Sequence, residues 1–139
     1  LRFAAAGSKF GITPGKLGLV YTLNDTRRLI DAVGVSAAKD ILFTGRILSA
    51  EEALSLGLID RLTEPADLMA AANAFRNQVG AASAVSARIT KQIVARIQAG
   101  QAEDDAETRK LFLDAFQGED FQEGYRAFLA KRKPEFKGR

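Results

Sequence analysis

From Leu23 the chain spaces Leu23, Arg27, Ile30 and Val33 at helical intervals, which predicts a helix from about Thr22 that stops at Gly34. Ser36 is placed to cap a second helix, Ala37 to Phe43, which Thr44-Gly45 ends. Ile47-Leu48 reads as a brief extended piece. Ser49-Ala50-Glu51-Glu52 reads as a capping box opening a short helix that turns Ala53 and Leu56 inward and stops at Gly57. Partial alternation over Leu58 to Leu62 predicts a strand, and Leu1 to Ala5 the end of another. Past Pro65 the pattern becomes helical throughout. Leu68, Ala71, Ala72 and Phe75 share one face of a helix from Pro65 and Asp67 to about Val79. Val85, Ile89, Ile93 and Ile97 stripe the next, from Ser83 to about Ala99, and are read as core. Two more are predicted, Ala102 to Phe116 and Glu119 to about Arg132, the last closed by Pro134. The expected organisation is a small α/β region over 1–64 followed by a helical region over 65–139, without repeat or flexible linker.

The stretch before the first helix breaks every period. Phe10 to Gly18 holds three glycines and a proline in nine residues, a density of breakers that regular structure does not survive. It feeds a helix N-terminus, where free backbone N–H groups point outward. Loops on rigid scaffolds often carry function, although an ordinary surface connection fits the composition equally well.

Composition narrows the chemistry. Over 139 residues, 47% hydrophobic and 27% charged, the chain falls in the globular class. No apolar run approaches the length of a membrane span, so no membrane partner is expected. The absence of Cys removes disulfides and thiolate catalysis and fits a reducing cytoplasm. The absence of His removes the commonest general base, the commonest metal ligand and any serine-type triad. Carboxylates, hydroxyls and backbone amides are left. The acids Glu103, Asp104, Asp105 and Glu107 fall on successive positions of a predicted first helical turn, which do not converge on one ion, so no metal is expected. Net charge is +3, with Lys131, Arg132, Lys133, Lys137 and Arg139 within nine positions of the C-terminal end. Such a cluster serves an anion, but it lacks interleaved stacking aromatics or a nucleic-acid motif, so no nucleic acid is expected.

Four blocks of the sequence carry a resemblance. They are Ala5-Ala6-Gly7-Ser8-Lys9-Phe10-Gly11 with Leu17-Gly18 and Thr26-Arg27-Arg28-Leu29; Leu42-Phe43-Thr44-Gly45-Arg46-Ile47-Leu48-Ser49-Ala50-Glu51-Glu52-Ala53; Gly57-Leu58-Ile59-Asp60; and Glu123-Gly124-Tyr125-Arg126-Ala127-Phe128-Leu129-Ala130-Lys131-Arg132-Lys133-Pro134. Together they resemble the second half of a subunit of the crotonase (enoyl-CoA hydratase/isomerase) superfamily, across essentially the whole chain. The start at Leu1, without Met, agrees with a piece that begins mid-subunit. The resemblance implies a fragment of the α/β crotonase (ClpP/crotonase-like) fold, ending in a helical trimerisation region, from a homotrimer or hexamer. It also implies an acyl-CoA thioester as substrate and no cofactor beyond it.

One departure changes the expected chemistry. Hydratases of the superfamily read roughly Phe-Gly-x-Pro-Glu through this loop, the Glu being one of two acid/base carboxylates. Here Pro14 stands at the Glu position, and proline has no side-chain proton to exchange. Thr13-Pro14, Leu17-Gly18 and Tyr21 are instead similar to the methylmalonyl-CoA decarboxylase branch. That likeness implies Tyr21 and Thr13 as the catalytic hydroxyls, with Pro14 and Leu17 lining the substrate; a tyrosine with its ring in the core and hydroxyl in solvent is the plain alternative. By position, Phe112 and Phe128 would flank the CoA adenine and Lys131 would meet a phosphate, against core phenylalanines and a solvated lysine. Both amides of the superfamily's oxyanion hole fall upstream of a segment like Leu1-Arg2-Phe3. The chain alone is therefore expected to be inactive. Three functions stay open: hydratase/isomerase-type enolate chemistry, decarboxylation, and a non-catalytic helical oligomerisation module.

Overall fold

Glycines in the left-handed region end helices where the sequence places its stops. The computed structural model describes residues 1–138; Arg139, the last of the basic cluster, lies outside the described residues. The chain forms two compact units, Leu1–Asn73 and Ala74–Arg139, the boundary falling within a helix.

The first unit carries four three-residue strands: β1 (Phe3–Ala5), β2 (Lys9–Gly11), β3 (Ile47–Ser49) and β4 (Arg61–Thr63). β1 pairs parallel with β4, Ala4 opposite Leu62, and β2 pairs antiparallel with β3, Phe10 opposite Leu48. Across the first pair the Arg61 guanidinium lies 5.3 Å from the Phe3 ring centroid, within reach of cation–π attraction. β4 starts later than the alternation suggests, because Leu58 and Ile59 turn inward through hydrogen bonds from their amides to the Ala53 carbonyl. Helix α1 (Leu23–Thr44) is broken at Gly34 (φ 77°, ψ 166°), where the sequence separates two helices, and it ends on left-handed Gly45. Helix α2 (Ala50–Ser55) is capped by the Ser49 side chain, which accepts from the Glu52 amide at 3.2 Å. The reciprocal half of the expected capping box is not made: the Glu52 carboxylate turns to Arg46, which also holds Asp40 at 2.6 Å. A charged guanidinium outcompetes a neutral amide for a carboxylate.

One core cluster joins Leu29, Ala38, Ile41 and Leu48; a second joins Ala4, Ala53 and Ile59; Phe10 and Leu58 touch both. Ile41 and Leu48 are about 1% exposed, and burying side chains of this size stabilises by roughly 2 kcal/mol each.

Four more helices follow: α3 (Leu68–Gly80), α4 (Ala84–Gln98), α5 (Ala106–Gln117) and α6 (Glu119–Leu129). On α3 the predicted face, Leu68, Ala71, Ala72 and Phe75, is half-buried while its other positions are exposed. The α4 stripe is less a core than the periodicity implies: Val85, Ile89 and Ile93 are half-buried and Ile97 is 62% exposed. α5 begins four residues later than expected because Asp105 takes the cap position. Its side chain accepts from the Thr108 amide at 2.8 Å while the Thr108 hydroxyl accepts from the Asp105 amide at 2.9 Å. The acidic run is therefore distributed among local partners. Asp104 also bonds Thr108, and Asp105 and Glu107 pair with Arg96, whose own ionisation is pushed further up, chiefly by its hydrogen bond to Glu107. Among the described residues no helix is long and apolar enough to cross a membrane.

Candidate functional site

The breaker-rich loop is ordered by one tight turn. Thr13 leads into a 3-10 turn, Pro14–Leu17, with the proline in the first turn, where its missing N–H leaves nothing unsatisfied. Gly18 closes the turn in the left-handed region (φ 67°), and the Leu19 amide returns to the Pro14 carbonyl at 3.0 Å. The turn rests on the end of α1. A side chain at Gly15 would put its Cβ 3.0 Å from the Leu42 carbonyl oxygen, and the Lys16 stem covers Gly45. Close backbone approach is why glycine fits there.

This arrangement brings Thr13, Pro14 and Leu17 onto one turn, with Pro14 buried and Leu17 73% exposed. Tyr21 follows outside any regular element, 46% exposed, and its hydroxyl has no hydrogen-bond partner among the described residues. Thr13 likewise makes no side-chain capping bond. The α1 terminus is not the open anion site its position suggests. Thr22 accepts from the Asp25 amide at 3.2 Å and donates to the Asp25 carboxylate at 2.7 Å, so a negative charge already sits there. No carboxylate occurs between Phe10 and Asn24. The loop thus offers hydroxyl donors and an apolar wall but no ionisable acid. Beside its start, Phe3, Phe10, Gly11, Ile12 and Leu58 line a cleft of about 410 Å3. Arg2 also lines this cleft; its amide donates to Asp60 at 2.6 Å, and that bond holds the Asp60 carboxyl below the usual range.

The second unit holds the other candidates. Phe112 is 62% exposed and leads a row of rings: it stacks on Phe116 at 6.1 Å, Phe116 meets Phe121 at 4.4 Å, and Phe121 stacks on Tyr125 at 6.4 Å. The row lines a largely apolar groove of about 470 Å3. At one edge of the groove the Ser83 hydroxyl, which also caps α4, donates to buried Asp120 at 2.6 Å. Phe128 stands apart, 81% exposed, and makes no ring contact among the described residues. The structure gathers Phe112 into the ring row and leaves Phe128 outside it. Lys131 follows α6, exposed, with a left-handed backbone.

Sequence reading passed over Phe116, Phe121 and Tyr125, and also the pair Glu123–Arg132. Spacing on α6 places Phe121 and Tyr125 on one face, but their meeting with α5 depends on how the two helices pack. The Glu123–Arg132 contact spans nine residues around a helix end, a separation no helical period announces.

Comparison with known proteins follows the same lines. The enoyl-CoA hydratase/isomerase family model matches residues 1–139. A Mycobacterium bovis protein named as a probable enoyl-CoA hydratase is 37% identical over 134 residues, covering 96% of this chain and 52% of that protein. The short-chain-enoyl-CoA hydratase of Clostridium acetobutylicum is 33% identical over 141 residues, covering 100% of this chain and 54% of that one. Among solved structures, an enoyl-CoA hydratase/isomerase family protein from Hyphomonas neptunium superposes with a TM-score of 0.92 at 54% identity, over 100% of this chain and 53% of its own. The chain spans about half the length of the relatives it matches.

Proposed function

The chain belongs to the enoyl-CoA hydratase/isomerase (crotonase) family and has about half of its α/β fold; from that premise we propose that it is the C-terminal part of an acyl-CoA enzyme that works through a thioester enolate. In this reading the substrate is a CoA thioester, no cofactor is needed, the enzyme is cytoplasmic, and the subunits form a trimer or hexamer through the helical part, 65–139. The relatives' names, each a hydratase of a CoA thioester, support the substrate class. The family's oxyanion hole would supply several kcal/mol of enolate stabilisation through two backbone N–H groups contributed from outside residues 1–139. Residues 1–139 alone are then inactive.

The observation that directs the chemistry is Pro14. It is buried on the loop turn, at the position where hydratases of the family carry an acid/base Glu, and no other carboxylate lies between Phe10 and Asn24 to replace it. Activation of water from this loop has no group to perform it. The hydroxyls of Tyr21 and Thr13, neither engaged by the chain, favour a second reading: decarboxylation of a malonyl-type thioester. The Cα–carboxylate bond breaks, its electron pair enters the thioester as an enolate, carbon dioxide leaves, and the enolate is then protonated. Tyr21 and Thr13 would orient the departing carboxylate by donating hydrogen bonds to it.

Steady-state assay of the full-length protein with malonyl-type and enoyl thioesters, alongside Tyr21→Phe, separates the two. Decarboxylation in the wild type that falls about 100-fold in Tyr21→Phe, the scale of losing one positioned donor, supports the second reading. Decarboxylation unchanged in Tyr21→Phe removes Tyr21 from the mechanism, and efficient hydration by the wild type overturns the inference from Pro14.

A further inference from the structure

Past α6 the chain bends back and takes up a period of two. Lys131 is left-handed (φ 50°), its amide donating to the Phe128 carbonyl and the Arg132 amide to the Ala127 carbonyl, the paired closure that ends a helix. Beyond it Pro134, Phe136 and Gly138 are half-buried while Lys133, Glu135 and Lys137 are exposed. Such alternation marks an extended segment with one side laid on a surface, and no strand among the described residues pairs with it. Its inward side has defined seats. Phe136 lines the ring groove together with Val85 of α4 and Phe121 and Tyr125 of α6, and a Cβ at Gly124 would lie 3.6 Å from its ring. A Cβ at Gly138 would lie 3.7 Å from that of Ala84, the first residue of α4. The segment therefore runs from the end of α6, past Gly124 in the middle of that helix, to the start of α4.

One carboxylate holds the segment down. Arg132 grips Glu123 with both terminal nitrogens, at 2.6 and 2.9 Å, and its Nη1 also donates to the Lys133 carbonyl at 3.0 Å. The Glu135 amide donates to the same Glu123 carboxylate at 2.9 Å. Glu123 thus ties the chain on both sides of Pro134, whose ring keeps Lys133 out of the helical region. A two-pronged Arg–carboxylate pair fixes orientation as well as distance. The two ends of the path are fixed to each other as well, since the Ser83 hydroxyl ahead of α4 donates to Asp120 in the first turn of α6 at 2.6 Å.

We propose that residues 133–138 are a latched strap across the helical unit: Phe136 is the ring groove's own occupant at the Gly124 end, and Glu123 is the latch whose release lifts the strap and uncovers that end. The strap stands on packing and hydrogen bonds and holds whichever reaction the protein performs. It explains why a glycine stands in the middle of α6, where helix propensity disfavours it: a larger side chain at 124 would take the seat of Phe136.

Amide hydrogen exchange of the full-length protein reads the strap at the Glu135 amide, whose acceptor is Glu123. Glu123→Ala should speed that exchange about ten-fold, the scale of losing a hydrogen bond to a charged group. Phe136→Ala should speed it as well, although it removes neither partner of the bond, because the strap opens as a unit. Gly124→Leu should match Phe136→Ala by filling its seat. Gly124→Ala should keep the wild-type rate, since a single Cβ at 3.6 Å is ordinary contact. Exchange in α1 stays at its wild-type rate throughout, which separates an opened strap from general loss of structure. Binding of the apolar dye anilinonaphthalene sulfonate should rise in the three opened variants and not in Gly124→Ala. Phe136→Ala with Glu135 exchange unchanged makes the contacts independent and overturns the strap, as does a wild type whose Glu135 amide is unprotected. Dye binding that does not rise overturns the uncovering of the groove. Should Phe136→Ala fail to fold, the two Gly124 variants decide: equal exchange in Gly124→Leu and Gly124→Ala overturns the proposal.

Discussion

At single positions, what a side chain would meet matters more than its class. Gly11 and Gly57 are both glycines of the first unit, yet they differ in kind. A Cβ at Gly11 would approach the far end of Ile47, an exposed and flexible side chain. At Gly57 the backbone is left-handed (φ 76°) and a Cβ would come 3.2 Å from the Ala32 carbonyl oxygen, which cannot swing aside. Gly57→Ala is therefore expected to destabilise by about 2 kcal/mol and Gly11→Ala by under about 1 kcal/mol, as chemical denaturation of the two variants would measure. Pro14 shows the same principle in the candidate site. That proline has no side-chain proton to exchange is legible from sequence. Its burial on the turn was visible only once Gly15 and Lys16 were seen against the end of α1.

At the level of elements, helix ends are settled by local polar chemistry. The α5 start moved from Ala102 to Ala106 because Asp105 and Thr108 satisfy each other's backbone amides, a reciprocal cap that the run of acids concealed. Asp105→Ala should destabilise by about 1 kcal/mol and shorten α5 protection in amide hydrogen exchange, with α4 protection less affected. Ser49 carries out only half of the box expected at α2, because Arg46 draws Glu52 away. The stops at Gly34, Gly45 and Gly57 were readable because left-handed backbone selects glycine. Lys131 escaped that reading, since it is left-handed (φ 50°) without being a glycine.

Over the whole molecule the ionisable groups point one way. Glu51, Asp60, Asp105 and Glu123 all have their carboxyls held below the usual range. For Glu123 the value is about 2, caused first by the Arg132 side chain and then by the Glu135 amide. A depressed carboxyl binds fewer protons folded than unfolded between its two pKa values. Its stabilisation is therefore present above the unfolded value, 4.5 for Glu123, and is lost as pH falls toward about 2. Thermal unfolding across pH should show stability decreasing below about pH 4.5, with no histidine step above it, since the chain has no histidine. Glu123→Gln should make that acid slope shallower. Val20, Leu23, Phe43, Phe112 and Phe128 are each more than 60% exposed in the chain by itself.

The sequence by itself determined the family, the succession of a small α/β part and a helical part, most helix stops, and the absence of any carboxylate between Phe10 and Asn24. These are properties of residue type and short spacing, which backbone sterics and hydrogen-bonding chemistry translate directly. Tertiary structure decided the rest. It set β1 beside β4 and β2 beside β3, gathered Phe112 with Phe116, Phe121 and Tyr125 while leaving Phe128 outside, filled the α1 terminus with Asp25, and clasped Arg132 to Glu123. Each of these depends on which distant residues meet, and a contact across such separations follows from packing, not from any local period.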